Sequence, residues 1–339
     1  MFQAIRRRAV IRACVLAASA TASALSFAQG SAPVPAQAQD YPQKPVTFVV
    51  PFPPGGTTDL VARALADTLS RSLGQPVLVE NRPGAGTTVG ADYVAKARPD
   101  GYTLLIGAVH HTIAPSVYKK LSYDFQKDLT PITTVAWVPN VVAVNPEVTP
   151  VKTIAELIAL AKASSAKPLT YASNGNGTAQ HLIGTLFQLQ TGTTLLHVPY
   201  KGSAPLTADL LAGQVNMSFD SITAQLPFYK NGKLLPLAVT AHSRTSFLPN
   251  VPTLGEAGLK GFDIQTWYGV LAPTGTPKAV LDRLSVEMLK IVKSPQFAMS
   301  MNAGGCEPMG STPAEMAGLI ARETTKFARI VKDGNVVIE

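Results

Sequence analysis

Three short glycine-containing segments each lie between an apolar run and a segment with helical periodicity. They cover residues 53–59, 81–86 and 173–178. A glycine-rich turn between a strand and a helix lets backbone N–H groups approach a ligand, and the N-terminus of the following helix favours negative charge. Because three such junctions occur in one chain, we expect a single anion-binding site built from several strand ends.

Apolar runs followed by helical patterns recur along the whole chain. The pairs are 45–50 with 58–73, 77–79 with 88–97, 169–172 with 178–191, and 195–198 with 203–212. Further strands are predicted at 102–107, 215–219 and 234–240. This alternation favours an α/β fold in which parallel-rich sheets are covered by helices on both faces.

The N-terminus has the pattern of a secretory signal peptide. Four arginines, Arg6 to Arg8 and Arg12, precede an uncharged apolar stretch that ends near Phe27. Cleavage after Ala28 and cleavage after Ala38 both fit the small-residue rule, and Arg7-Arg8 also loosely matches a twin-arginine signal. We therefore expect residues 1–38 to be removed on export, with the route and the exact cleavage point open.

Charge and cysteine content exclude several classes of protein. Loss of residues 1–38 removes four arginines and no acids, so the formal net charge falls from +8 to +4. No Lys/Arg-rich run remains to follow a nucleic-acid backbone. Cys306 is then the only cysteine, which excludes an internal disulfide and a cysteine-ligated zinc site.

About 300 mature residues exceed the usual size of a single core, so two domains are expected. Proline-rich, weakly periodic segments near 131–150 and 249–267 separate the middle of the chain from its ends. We predict domain I from residues 39–139 and 262–339 and domain II from residues 140–261. The two crossings, near 138–142 and 260–266, would form a hinge.

Several motifs resemble one known family. In order they are PPGGTTD at 53–59, ENRPGAG at 80–86, PDGYTL at 99–104, VPYKG at 198–202 and VPTLGE at 251–256. Together they resemble the Bug-type extracytoplasmic solute receptors of tripartite tricarboxylate transporters. The resemblance covers essentially the whole mature chain.

The resemblance implies a periplasmic two-domain receptor of the type II, or Venus flytrap, fold. Such a receptor captures a small organic carboxylate in the cleft between its domains and delivers it to the integral-membrane permease subunits of the transporter. It implies a monomer without catalytic activity, cofactor or bound metal. Family members hold the carboxylate through backbone amides, hydroxyls and water with few arginine contacts, so Arg82 is expected to brace its loop.

The resemblance also implies which residues line the cleft. On the domain I side they are Gly55, Gly56, Thr57, Thr58, Asp59, Gly84, Ala85, Gly86 and Thr87. On the domain II side they are Ser173, Asn174, Gly175, Gly177, Thr178, Tyr200, Lys201, Gly202, Ser203 and Asp220. Their positions at predicted strand ends add Phe52, His110 and His111 to the predicted ligand-binding set, and Trp267 is a further aromatic candidate with core packing as its alternative.

Two competing functions have weaker support. Residues 84–90 approximate a dinucleotide-binding fingerprint but contain one residue too many, and Asp100 lies in a turn instead of ending a strand. An exported hydrolase that uses His110 or His111 is the alternative from another class. Against it, the chain has no Gly-x-Ser-x-Gly elbow and no histidines at metal-binding spacing.

Overall fold

The computed structural model describes residues 41–338, so the predicted signal peptide lies outside the described residues. The strands are β1 (Val46–Val50), β2 (Val77–Asn81), β3 (Thr103–Ala108), β4 (Leu129–Val144), β5 (Leu169–Ser173), β6 (Leu195–Pro199), β7 (Met217–Ser221), β8 (Leu235–Val239), β9 (Gln265–Pro273) and β10 (Glu307–Pro308). The helices are α1 (Thr57–Leu73), α2 (Thr88–Ala95), α3 (His110–Val117), α4 (Ile154–Ala163), α5 (Ala179–Thr191), α6 (Ser203–Leu211), α7 (Ile222–Lys230), α8 (Lys278–Val292), α9 (Pro295–Ala303) and α10 (Pro313–Asp333).

Within residues 41–338 the strands form one mixed sheet. Its order is β2-β1-β3-β9-β4-β7-β5-β6, and β8 and β10 also pair with β4. Strand β1 is parallel to β2 and β3, and β5 is parallel to β6 and β7. The parallel pairs follow the predicted strand and helix alternation. Strands β4 and β9 are antiparallel to their neighbours and join the two parallel sets.

The proline-rich segment at 131–150 is weakly periodic in sequence, yet most of its length forms a strand. It belongs to β4, the 16-residue strand that ends at Val144. Proline lacks the N–H that a strand interior uses, which is why Pro131 and Pro139 argue against a strand. The register of the β4–β9 ladder shifts just after Pro131 and again after Thr134, so irregularities accommodate the first proline.

The two predicted domain crossings are neighbours in this ladder. Val138 pairs with Thr266 and Pro139 with Gln265. The fully buried Asn140 side chain donates to the Ile264 carbonyl at 3.3 Å and accepts from Thr266 Oγ1 at 3.2 Å and Gln180 Nε2 at 2.8 Å. The crossings are thus tied side by side, while the domain boundaries themselves stay a prediction.

Helix α1 shows how the fold places loop residues at the sheet edge. Its apolar residues Val61, Leu65 and Leu69 recur every four positions and are fully buried. The helix ends at Gly74, which has φ 69° and donates its N–H to the Ser70 carbonyl. Because the buried stripe fixes the rotation of α1, its first residue Thr57 is held beside the carboxyl end of β1.

No helix within residues 41–338 combines the length and the apolar character needed to cross a membrane. In the same range, no three His, Cys, Asp or Glu side chains are grouped so that they could hold a metal ion.

Candidate functional site

Loops at the carboxyl ends of the parallel strands enclose a cleft that consists of two adjoining pockets. The first has a volume of about 450 Å³ when the open solvent at its mouth is included, and we name it the hydroxyl pocket; it is lined by Phe52, Pro53, Pro54, Gly56, Thr57, Thr58, His110, Asn174, Lys201, Gly202, Ser203, Ala204, Pro205 and Tyr268. The second has a volume of about 740 Å³ on the same measure, and we name it the glycine pocket; it is lined by Pro51, Phe52, Pro53, Pro83, Gly84, Ala85, Gly86, Thr87, Asn174, Gly175, Tyr200, Lys201 and Gly202. Their shared wall shows that they are parts of one cleft.

The loop between β1 and α1 is fixed from behind by Asp59. One Asp59 oxygen accepts from the Gly55 amide at 3.1 Å and from Arg63 Nε at 2.9 Å, and the other accepts from Asn81 Nδ2 at 3.0 Å. Burial opposes ionisation of Asp59, but these bonds outweigh it and lower the pKa of the carboxyl. Asp59 therefore holds this loop from a buried position, and neither Asp59 nor Gly55 lines the two pockets.

The loop between β2 and α2 has an unusual backbone. The φ angles of Gly84, Ala85, Gly86 and Thr87 are 143°, 42°, 56° and 89°. Non-glycine residues rarely adopt positive φ, and such strain concentrates at functional sites. Thr87 is buried, and its Oγ1 has no hydrogen-bond partner among the described residues.

The loop between β5 and α5, residues 173–178, is braced by two stacked histidines. His197 Nε2 and Ser173 Oγ are 2.6 Å apart, and His181 Nδ1 accepts from the Gly177 amide at 3.3 Å. The two imidazole rings stack with centroids 4.1 Å apart. Burial lowers the pKa of His181 to about 4 and that of His197 to about 3, so both rings are neutral near pH 7.

A buried carboxyl group holds two residues of the cleft wall. Asp220 Oδ1 accepts from Asn174 Nδ2 at 2.8 Å, from Ser203 Oγ at 3.0 Å and from the Ser221 amide at 2.6 Å. Asp220 is fully buried, and burial raises its pKa to about 6 although these bonds oppose the change. Asn174 and Ser203 line the cleft, whereas Asp220 lies behind them.

The two adjacent histidines of α3 point to different places. His110 lines the hydroxyl pocket, packs edge-on against Phe52 and accepts from the Ala179 amide at 3.0 Å. His111 stacks on Phe125 and lies in a separate pocket with Tyr118 and Tyr123. Consecutive helix residues project about 100° apart, and here this turn directs the His111 ring towards Phe125 instead of the cleft. His111 was predicted to line the cleft with His110, but the structure places it outside both pockets of the cleft.

Most of the predicted set comes together in the cleft. The predicted residues that line it are Phe52, Gly56, Thr57, Thr58, Gly84, Ala85, Gly86, Thr87, His110, Asn174, Gly175, Tyr200, Lys201, Gly202 and Ser203. Those that line neither pocket are Gly55, Asp59, Ser173, Gly177, Thr178 and Asp220. The second group was predicted to contact the ligand, but its side chains or amides are engaged in holding the loops.

Tyr268 lines the hydroxyl pocket and is absent from the predicted set. Its neighbour Trp267 is fully buried in the core. Successive strand residues face opposite sides of a sheet. If β9 had been predicted as a strand, a buried Trp267 would have indicated that Tyr268 faces the other side, towards the cleft. Thr57 Oγ1, next to Tyr268 in the same pocket, lies 2.8 Å from Ser221 Oγ.

Comparison with known proteins gives the family. The profile of the tripartite tricarboxylate transporter family receptor matches residues 61–336. The chain belongs to this receptor family. It is a periplasmic solute-binding receptor of the Bug type with the α/β binding-protein fold, and it is not an enzyme.

Three solved structures illustrate the similarity. The periplasmic binding protein BugD is 38% identical over 87% of this chain and 99% of its own, with a TM-score of 0.82. R. palustris Rpa4515 with adipate is 36% identical over 88% and 100%, with a TM-score of 0.84. MatC from Rhodopseudomonas palustris with bound malate is 31% identical over 86% and 100%, with a TM-score of 0.81.

Proposed function

We propose that this receptor captures a small organic mono- or dicarboxylate in the cleft and delivers it to the membrane permease of a tripartite tricarboxylate transporter. The charge of the cleft lining carries the proposal. Among the described residues, Lys201 is the one side chain with a formal charge that lines either pocket, while the buried carboxyl groups of Asp59 and Asp220 do not line it. The remaining polar groups are hydroxyls, amides and an imidazole, which suit an anion.

Relatives support the ligand class. Rpa4515 was solved with adipate and MatC with malate, and both ligands are dicarboxylates. The hydroxyl pocket and the glycine pocket adjoin through Phe52, Asn174 and Lys201. An elongated dicarboxylate can therefore place one end in each pocket. Arg82 is not needed as a charge clamp, since it pairs with Glu80 at 2.7 Å and lies over the Tyr93 ring.

The hydrolase alternative gains no support from the serine–histidine contact found within residues 41–338. Ser173 and His197 form a serine–histidine contact, but Ser173 is fully buried and does not line the cleft. The Nδ1 atom of His110 is already bonded to the Ala179 amide. A nucleophile must reach the substrate and be activated by a neighbouring base, and neither histidine offers that arrangement.

The wider proposal includes export and closure. Residues 1–38 act as a cleaved signal peptide, with cleavage after Ala28 or Ala38. Domain I and domain II close on the ligand about the crossings at 138–142 and 260–266. The ladder that joins these crossings supports bending of both together.

Binding without turnover is the test. Purified mature protein is titrated with adipate, malate and a panel of aromatic acids, esters and amides, while heat of binding, thermal stability and product are followed. We expect one carboxylate bound per chain, no product, and about 2.7 kcal/mol of added stability at about 100 times the dissociation constant. Arg82→Ala should bind like the wild type.

Small-angle scattering at saturation should show a smaller radius of gyration than the free protein. Absence of binding by every carboxylate, or product formed from an ester or amide, would overturn the proposed function. An unchanged scattering profile at saturation would overturn closure alone.

A further inference from the structure

The imidazole of His110 connects a helix terminus to the cleft. Ala179 is the first residue of α5, and its amide is one of the N-terminal N–H groups that have no acceptor within the helix. That amide donates to His110 Nδ1 at 3.0 Å. Because Nδ1 accepts this bond, the proton of the neutral ring lies on Nε2.

The protonated nitrogen of His110 is the one available to a ligand. Nε2 forms no hydrogen bond with any described residue, and the ring lines the hydroxyl pocket. Phe52 packs edge-on against the same ring with centroids 5.3 Å apart, which fixes the ring plane. The side chain is 2% exposed, so a bond from Nε2–H is made in surroundings from which most water is excluded.

We propose that His110 is a specificity-determining residue that transmits the positive end of α5 into the hydroxyl pocket as a neutral, donor-only N–H group for one ligand carboxylate. The inference rests on the proposed function and names the chemistry of one subsite within it. Donation from Ala179 polarises the imidazole, and hydrogen bonds in a chain strengthen one another. A carboxylate oxygen fits this position, whereas a ligand ammonium group would face another donor.

The ring stays neutral for reasons of geometry. A proton on Nδ1 would face the Ala179 N–H at the positive end of a helix. The titratable groups on the surrounding elements are His111 on α3, His181 on α5, Lys201 and Tyr268 in the pocket lining, and Asp220 behind Asn174 and Ser203 in the same wall. The hydrogen bonds of Asp220 go to Asn174, Ser203 and Ser221 and none goes to the imidazole, and burial together with His111 lowers the pKa of His110 to about 3.

Three substitutions of His110 distinguish the donation from Nε2 to the ligand from the bond that Nδ1 accepts from Ala179. His110→Phe keeps the ring but removes both hydrogen bonds. His110→Asn can still accept from Ala179 through its amide oxygen, but it is too short to reach the ligand. His110→Gln places an amide N–H2 near the position of Nε2. His111→Phe is the matched control, because it alters the equally buried neighbour outside the cleft.

Affinity for adipate, with malate as the second probe, is measured by calorimetry between about pH 6 and pH 8, and thermal melting of each free variant checks folding. We expect His110→Phe and His110→Asn to lose about tenfold in affinity, with His110→Gln and His111→Phe within about threefold of the wild type. The change of affinity with pH should be the same in the wild type and in His110→Phe, because Asp220, whose pKa burial raises to about 6, titrates in both proteins and His110 in neither. Nitrogen-15 NMR should show His110 protonated on Nε2 throughout.

Wild-type affinity in both His110→Phe and His110→Asn would overturn the inference, as would a ring protonated on Nδ1 or titrating between about pH 6 and pH 7. If His110→Phe does not fold, the asparagine variant and the NMR measurement still decide. A wild-type protein that binds no carboxylate would instead overturn the proposed function, and its NMR spectrum would still report the tautomer of His110.

Discussion

Two glycine-rich loops face each other across the cleft and are held in opposite ways. The 173–178 loop is braced by side chains: His197 at Ser173, His181 at Gly177 and Asp220 at Asn174. The 84–87 loop has a run of positive φ angles and a buried threonine hydroxyl without a partner. They approach closely, since a Cβ on Gly86 would lie 2.8 Å from the Asn176 carbonyl oxygen.

The difference separates stability from recognition. A loop fixed by side-chain hydrogen bonds keeps its shape without ligand, and removal of one partner costs free energy of unfolding. A strained loop with an unsatisfied hydroxyl has interactions left to make, and a ligand can supply them. We therefore expect substitutions at 84–87 to act mainly on affinity and substitutions behind 173–178 mainly on stability.

The largest effect is expected at Gly86. Gly86→Ala forces a Cβ against the Tyr118 hydroxyl and the Asn176 carbonyl at φ 56°, so the loops must separate and carboxylate affinity should fall by at least about a hundredfold. Gly192→Ala is the control, because Gly192 has φ 61° but nothing within 4 Å of an added Cβ. It should cost about 1–2 kcal/mol of stability from the left-handed backbone alone. Equal affinities in the two variants, measured by calorimetry, would contradict the assignment.

The next effect concerns Asp220 and is a stability difference that depends on pH. Burial raises the pKa of its carboxyl group from the ordinary value of 3.8 to about 6, so the folded state holds the proton more tightly than the unfolded state. The resulting stabilisation is complete below about pH 4 and is lost as the pH rises through about 6, a change of about 3 kcal/mol.

Asp220→Asn keeps an acceptor oxygen for Asn174 and Ser203 but cannot titrate. Urea unfolding at several pH values should therefore show the wild type losing stability relative to this variant between about pH 4 and pH 6. The buried histidines titrate in both proteins and cancel in the difference. A difference that does not change with pH would show that the Asp220 proton is bound equally in both states.

The smallest effects come from two threonines that occupy corresponding places in the two loops. Thr178 caps α5 by accepting from the His181 amide at 3.4 Å, so Thr178→Val should cost about 1 kcal/mol of stability with little change in affinity. Thr87→Val removes a hydroxyl that has no partner, so stability should hold while carboxylate binding weakens by about 0.5–1.5 kcal/mol. If melting showed a loss of stability for Thr87→Val and calorimetry a loss of affinity for Thr178→Val, the proposed difference between the two loops would be wrong.

The cleft was predictable from sequence as far as local patterns reach. Strand, glycine-rich turn and helix start are encoded within about 20 adjacent residues, which is why Thr57, Gly86 and Asn174 were found. Which residues line the cleft and which stand behind it depends on contacts between distant segments. Asp220 bonds to Asn174 from 46 positions away, and nothing near either residue in the sequence reveals that pairing.

The central strands were missed for a different physical reason. Strand β4 is buried on both sides, so it lacks the alternation that marks a half-exposed strand, and its prolines indicate a loop. The strands predicted from sequence, which lack β4 and β9, therefore form two separate parallel sets with no strand to join them. Tyr268 was missed with them, because its orientation follows from the alternation of β9.

The pairing of β4 with β9 also determines the order in which the chain can fold. Asn140 and Thr266 are 126 positions apart, whereas the second half of β4 finds β7 and β8 within the intervening segment. The first half of β4, with its buried Ile132 and Val135, has no β9 partner until the residues after 264 have been synthesised. Such distant contacts form slowly and leave an apolar strand edge exposed in the meantime. A newly made chain therefore carries an aggregation-prone strand until its last quarter arrives to cover it.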